Sequence, residues 1–389
     1  MKKLLAVILA LSMVLGVCAC SNSGNKSDSG YKIAMITDYA DITDQSFNQT
    51  TYEACKAFCE ANDIEFTYFK PVRDSTAERI TMIDSAVADG YNVIVLPGYA
   101  FAGAIVKAAP MYKDVKFITL DVAEGDLLQE AVGAEYDNNP SNWNLSDYVD
   151  LSNVYFAVYQ EELSGFMAGY AAIKLGYTEL GFLGGMAAPS VIRYGFGFVQ
   201  GADLAAAEKG VKANIKYAYA NQFYGDADIT AAMDTWFSAG TQVVFACGGG
   251  VYTSAAEAAS KVDGKIIGVD VDQKAIIDGS YGEGMTITSA MKGLYPATFN
   301  ALDDIIKNNA WTDYAGKRET LGLISGTNPE ENYCQLPIES TKFNSEFTKD
   351  DYVKLVGAMF SGEIKVSNDY TVDMVKTSCV TVENQGNIK

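Results

Sequence analysis

The chain has 389 residues, of which 49% are apolar and 20% charged, with a net charge of −20 and no histidine. That length suits two lobes better than one core, and so acidic a balance excludes a basic nucleic-acid surface. Without histidine there is no Ser-His-Asp or Cys-His catalysis and no imidazole metal site.

Met1-Lys2-Lys3 is a short positive start, and Leu4 to Val17 is an almost unbroken apolar run. With the small residues that follow, residues 1–20 read as a secretory signal peptide. The run is shorter than the roughly 20 apolar residues of a comfortable membrane span. Val17-Cys18-Ala19-Cys20 resembles a bacterial lipobox, with an aliphatic residue three before a Cys and a small one just before it. Cys20 is therefore the expected lipidation site, tethering the protein to the extracytoplasmic face of the cell membrane. Cys18 is a poorer acceptor, because Val17 would occupy the cleavage position. Residues 21–30 hold no apolar side chain to bury and read as a flexible tether.

From Tyr31 on, apolar runs alternate with helical patterns. Lys32 to Thr37 reads as a strand, Ser46 to Asn62 as a helix, Glu65 to Phe69 as a strand and Thr76 to Ala88 as a helix. Val93 to Leu96, Ala102 to Ala109 and Val115 to Leu120 continue the alternation. Glu124 to Asp150 is polar and breaks it. The rhythm restarts after Val154 to Val158, with helices predicted over Glu161 to Leu175, Val191 to Glu208, Ile229 to Ala239 and Tyr252 to Lys261. Strands are predicted at Leu180 to Leu183, Asn214 to Ala220, Val243 to Ala246 and Ile266 to Val269. Gly293 to Asn308 forms one more helix. Apolar strands joined by helices imply parallel sheets covered on both faces. The expected organisation is a first lobe of residues 31–155 with 293–310, a second lobe of residues 156–292, and a tail, 311–389, packed on the lobes. The five cysteines beyond Cys20, namely Cys55, Cys59, Cys247, Cys334 and Cys379, lack C-x-x-C spacing, so no disulfide framework is indicated. Cys55 and Cys59 are expected as small core residues.

In open parallel sheets ligands sit at the carboxyl ends of the strands. Two such sheets facing each other would line one cleft. Asp38 follows the first strand, and Ser46 or Asp44 can cap the next helix. Asn48 offers an amide donor and acceptor, as a heteroaromatic base edge requires, and Phe47 beside it offers a stacking face. Gly98 ends the third strand and Asp121 the fourth. In the second lobe Gly248 and Gly249 end one strand and Asp270 another, while Arg193 and Tyr194 open a helix. Asp270 and Lys292 are an acceptor and a donor that could share vicinal hydroxyls.

In this order and spacing the motifs resemble the basic membrane protein (Bmp) family of lipoproteins, purine-nucleoside-binding components of ABC importers. The segments that carry the resemblance are Asp44 to Gln49, Val115 to Asp121, Glu161-Glu162 to Gly169, Gly181 to Met186, Val191 to Ala202, Gly268 to Gln273 and Thr288 to Lys292. The resemblance implies the type I periplasmic-binding-protein fold, with two lobes and a hinge of several crossings. It implies a purine clamped between Phe47 and Tyr194, its edge bound by Asn48 and Asp121. Ribose hydroxyls would fall to Asp270 and Lys292, with close backbone approach at Gly248 and Gly249 and a further aromatic at Phe223. ABC permease subunits are the implied partners, and the protein is expected as a monomer. The chain departs from the family pattern at Tyr194, where Phe is common, at Gln160 in place of Arg, and at Ala54 in place of Gly. Glu135 to Asp150 and the segment after Trp311 also fail to match.

The expected class is thus a binding protein without enzyme activity, cofactor or metal. A sugar or another small polar metabolite, for uptake or sensing, is the alternative ligand. A hydrolase using the acidic clusters Asp38–Asp41–Asp44 or Asp270–Asp272 is the rival class. No G-x-G-x-x-G or P-loop spacing is present.

Overall fold

The computed structural model describes residues 30–388. The signal, lipobox and most of the tether therefore lie outside the described residues. The strands in chain order are β1 (Lys32–Ile36), β2 (Glu65–Phe69), β3 (Val93–Pro97), β4 (Lys116–Leu120) and β5 (Val154–Tyr159). There follow β6 (Glu179–Gly184), β7 (Ala213–Tyr219), β8 (Val243–Cys247), β9 (Lys265–Asp270) and β10 (Thr286–Lys292). The tail adds β11 (Arg318–Leu321), β12 (Cys334–Gln335) and β13 (Val380–Asn387).

These strands form a six-stranded sheet in the order β11-β5-β4-β3-β1-β2 and a seven-stranded sheet in the order β12-β10-β9-β8-β6-β7-β13. Every pair is parallel except β10 with β12. The first five strands of each lobe thus share one order, 2-1-3-4-5, and an aspartate stands at the end of each fourth strand, Asp121 just after β4 and Asp270 as the last residue of β9. Successive side chains enter opposite layers, as strand geometry requires. Ile33, Met35, Val93 and Val95 pack on one face of the first sheet, and Ala34, Ile36, Ile94 and Leu96 on the other.

The chain passes between the lobes three times: after β5, after β10, and between β11 and β12. The boundary expected between residues 155 and 156 needs correcting. It would cut β5, which pairs with β4 and β11 as a whole strand, so the first crossing begins at Gln160. The tail is also shared out, since β11 joins the first sheet while β12 and β13 join the second. Cys55 and Cys59 are free and buried in the core.

Two helices of the second lobe, Glu161–Lys174 and Pro189–Lys209, meet through glycines. A β-carbon on Gly165 would lie 2.1 Å from the Tyr194 carbonyl oxygen, and one on Gly169 2.0 Å from that of Phe198. From the facing helix, β-carbons on Gly197 and Gly201 would lie as close to the Glu162 and Phe166 carbonyl oxygens, at 2.1 and 1.9 Å. This contact fixes Tyr194 against the first turn after the hinge.

Candidate ligand site between the lobes

The carboxyl ends of the two sheets face one small cavity of about 90 Å³, below the usual size of small-molecule sites, so the lobes must part to admit a ligand of nucleoside size. Its first-lobe wall includes Asp38, Phe47, Asn48, Gly98, Tyr99 and Asp121. Its second-lobe wall includes Tyr194, Phe223, Gly248, Gly249, Asp270 and Lys292. Every ligand-binding residue expected from the sequence therefore lines it.

Asp121 and Asp270 occupy equivalent fourth-strand ends and both adopt left-handed backbone, with φ of 60° and 65°. Aspartate tolerates that region better than most residues, and a sparsely populated backbone conformation at both strand ends suits a binding site. The third strands end alike, at Gly98 (φ 113°) and Gly248. A β-carbon on Gly248 would lie 2.8 Å from the Gly185 nitrogen, so backbone forms the wall there.

A buried ion network joins the lobes. The Lys292 ammonium bonds Asp121 of the first lobe, and lies 3.3 Å from Glu161 and 3.9 Å from Asp270. It also sits 5.0 Å from the centre of the Phe47 ring, 5.3 Å from Tyr159 and 5.5 Å from Tyr194. Arg193 donates to the second oxygen of Glu161 at 2.7 Å and lies 4.0 Å from Glu162. Burial opposes charge on Glu161, but Arg193 and Lys292 outweigh it and hold its carboxyl below the usual range. Burial likewise opposes charge on Lys292, and Asp121, Glu161 and Asp270 keep it firmly protonated. Carboxylates outnumber cations here, so some must keep protons. Burial raises Asp121 to about 7 against the pull of Lys292, and burial with the Glu161 charge raises Glu162 to about 7.

The cleft is closed over this network. Ser46 donates to Asp270 at 2.6 Å, and the Gln273 amide donates to the Gln45 carbonyl at 3.2 Å. Tyr194 reaches the other oxygen of Asp270 at 3.4 Å, the hydroxyl that a Phe at this position would lack.

The contacts within the closed cleft cut across the pairing that the resemblance implies. Asp121 was paired with Asn48 and Lys292 with Asp270, but Lys292 is closest to Asp121. The Asn48 amide nitrogen instead donates to Asp38 and Asp44 at 3.2 and 3.1 Å, and the Asp38 amide reaches its oxygen at 3.4 Å. The side chain is thereby held within the first lobe. Asp44 caps the Phe47–Asn62 helix, accepting from the Ser46, Asn48 and Gln49 amides, which frees Ser46 to cross the cleft. Tyr99, which meets Phe223 across the cleft at 6.5 Å between ring centres, escaped the sequence reading, although it directly follows the strand-end Gly98. Glu161 was visible only as half of an acidic pair at a helix start.

Residues 31–344 match the Bmp family, described as ABC transporter substrate-binding protein PnrA-like. The chain belongs to this family. The Lactococcus lactis ABC transporter nucleoside-binding protein BmpA is 29% identical over 290 residues, covering 69% of this chain and 73% of that protein. Basic membrane protein B of Borreliella burgdorferi is 27% identical, covering 82% and 86%. Among solved structures, an ABC transporter solute-binding protein from Aeropyrum pernix superposes with a TM-score of 0.62 at 21% identity, covering 87% of this chain and 88% of that one. The fold is the type I periplasmic-binding-protein fold, and the family is one of binders rather than catalysts, which removes the hydrolase reading. Among the described residues no helix is long and apolar enough to cross a membrane.

Proposed function

We propose that this protein is the extracytoplasmic, lipid-anchored substrate-binding component of an ABC importer, and that it captures a purine nucleoside between its lobes. Family membership supports the transport role, with permease subunits as partners; the lipobox residues 17–20 are what motivates Cys20 as the anchor, and the protein acts in this reading as a monomer. The observation that carries the ligand reading is the convergence of Phe47, Tyr194, Asp121, Asp270 and Lys292 on one cavity. Ring faces suit a planar base, and charged groups beside them suit hydroxyls and a polar edge. A relative named as nucleoside-binding points the same way.

One observation favours the second reading, a sugar or another small polar metabolite. The Asn48 amide, the expected reader of a base edge, is engaged by Asp38 and Asp44. Thermal shift separates the two. Inosine, guanosine or adenosine should raise the melting temperature, while galactose, arabinose and free ribose should not. A shift with a sugar and none with any nucleoside would replace the first reading with the second.

A further inference from the structure

Two segments meet beside the cleft. One is the polar stretch after the Glu124–Val132 helix of the first lobe. The other is the tail between the Lys349–Phe360 helix and β13, which lies beyond the matched residues 31–344.

The tail is fastened to the second lobe at both ends of an excursion along the Pro189–Lys209 helix. Gln200 and Ser367 exchange two hydrogen bonds, at 3.0 and 2.9 Å. The Asp203 carboxylate accepts from the amides of Ser378, Cys379 and Val380. Between these anchors the chain climbs to Arg193, two turns or about 10 Å along the helix from Gln200. There Tyr370 lies against the guanidinium, whose carbon is 5.8 Å from the ring centre.

Tyr370 also touches the first lobe. A β-carbon on Gly125 would lie 3.2 Å from its hydroxyl and 3.3 Å from that of Tyr136. The phenol thus packs on the bare first turn of the Glu124–Val132 helix, with Tyr136 of the polar stretch beside it. Burial raises the Tyr370 hydroxyl, with Arg193 opposing and Asp126 of the same first-lobe turn adding to it. Arg193 is the cation that holds Glu161, and Glu161 holds Lys292 in the cavity.

We propose that residues 361–379 form an interlobe strap, and that Tyr370 is a positioning residue holding the cleft shut by covering the Arg193–Glu161–Lys292 chain. The strap opens when Tyr370 leaves Gly125. It therefore sets how long a ligand stays more than how fast it enters. The claim about ligand residence rests on the nucleoside reading; the claim about closure does not.

Two measurements test it, on the full mature protein. The first is hydrogen exchange of the ligand-free protein over residues 121–127. Tyr370→Ala should speed exchange there about tenfold, the loss of one partly buried cation–π contact and its packing. Tyr370→Phe, which keeps the ring on Arg193 but loses the hydroxyl that faces Gly125, should exchange at a rate between wild type and Tyr370→Ala. Gly125→Val crowds the same phenol from the first lobe and should act like Tyr370→Ala without altering the tail. The second is stopped-flow dissociation of inosine, which Tyr370→Ala should accelerate by a similar factor with association unchanged. Unchanged exchange in both Tyr370→Ala and Gly125→Val overturns the strap. Altered exchange with no nucleoside binding to wild type upholds the strap and overturns the nucleoside reading instead.

Discussion

At Lys292 one ammonium faces the carboxylates of Asp121, Glu161 and Asp270, and that imbalance governs the response to pH. Asp121 and Glu162 keep their protons to about 7 in the folded protein, against ordinary values near 4 in an unfolded chain. The folded state therefore binds more protons between about pH 4 and pH 7, and these groups withdraw stability as pH rises through that window. The melting temperature should be higher at pH 5.5 than at pH 8. Glu162→Gln removes a buried acid whose Oε2 has no hydrogen-bond partner, so it should flatten this slope and melt higher than wild type at pH 8. Differential scanning fluorimetry across the window reads both; an unaltered slope in the variant would show that Glu162 is not a proton holder. Sequence reasoning found the strand-end residues because the parallel-sheet rule names positions. It could not pair them, since Lys292 and Asp121 are 171 residues apart and the partner choice depends on which lobe swings where.

At the scale of elements, the glycine contact between the Glu161–Lys174 and Pro189–Lys209 helices sets the position of Tyr194. Filling it should be costly, because each added methyl meets a backbone carbonyl rather than a yielding side chain. Gly201→Ala and Gly169→Ala should each destabilise by about 1–3 kcal/mol or more. Gly279→Ala is the opposite case: it has open space and lies inside the Lys274–Tyr281 helix, so it should stabilise by up to about 1 kcal/mol. Urea unfolding would reveal the contrast, and equal effects at the three sites would refute the packing account. Most strands of the two sheets were legible as β-branched and apolar runs between helical periods. β10, with the mixed sequence Thr286-Ile287-Thr288-Ser289-Ala290-Met291-Lys292, gave no such run, because its hydroxyls are buried against tail residues such as Thr341. β12 and β13 were hidden for a related reason: they are short or polar edge strands whose pairing depends on a sheet built elsewhere in the chain.

Over the whole molecule, three crossings join two lobes that close on each other through Ser46–Asp270 and Lys292–Asp121. Closure of this kind requires a hinge. Small-angle scattering should give a smaller radius of gyration with nucleoside than without, and an identical radius with binding confirmed would argue against hinge motion. Cys20→Ser should release the protein from the membrane or leave it unprocessed; retention of a processed variant like wild type would remove the anchor. The central claim, a nucleoside held across the cleft, is tested most directly by calorimetric titration of wild type and Asp270→Asn with inosine and its free base. The account predicts tight binding of inosine by wild type, a loss of tenfold or more in Asp270→Asn, and weak binding of the free base that the substitution scarcely alters. Inosine affinity left intact in a folded Asp270→Asn variant, or no inosine binding by wild type, would contradict it.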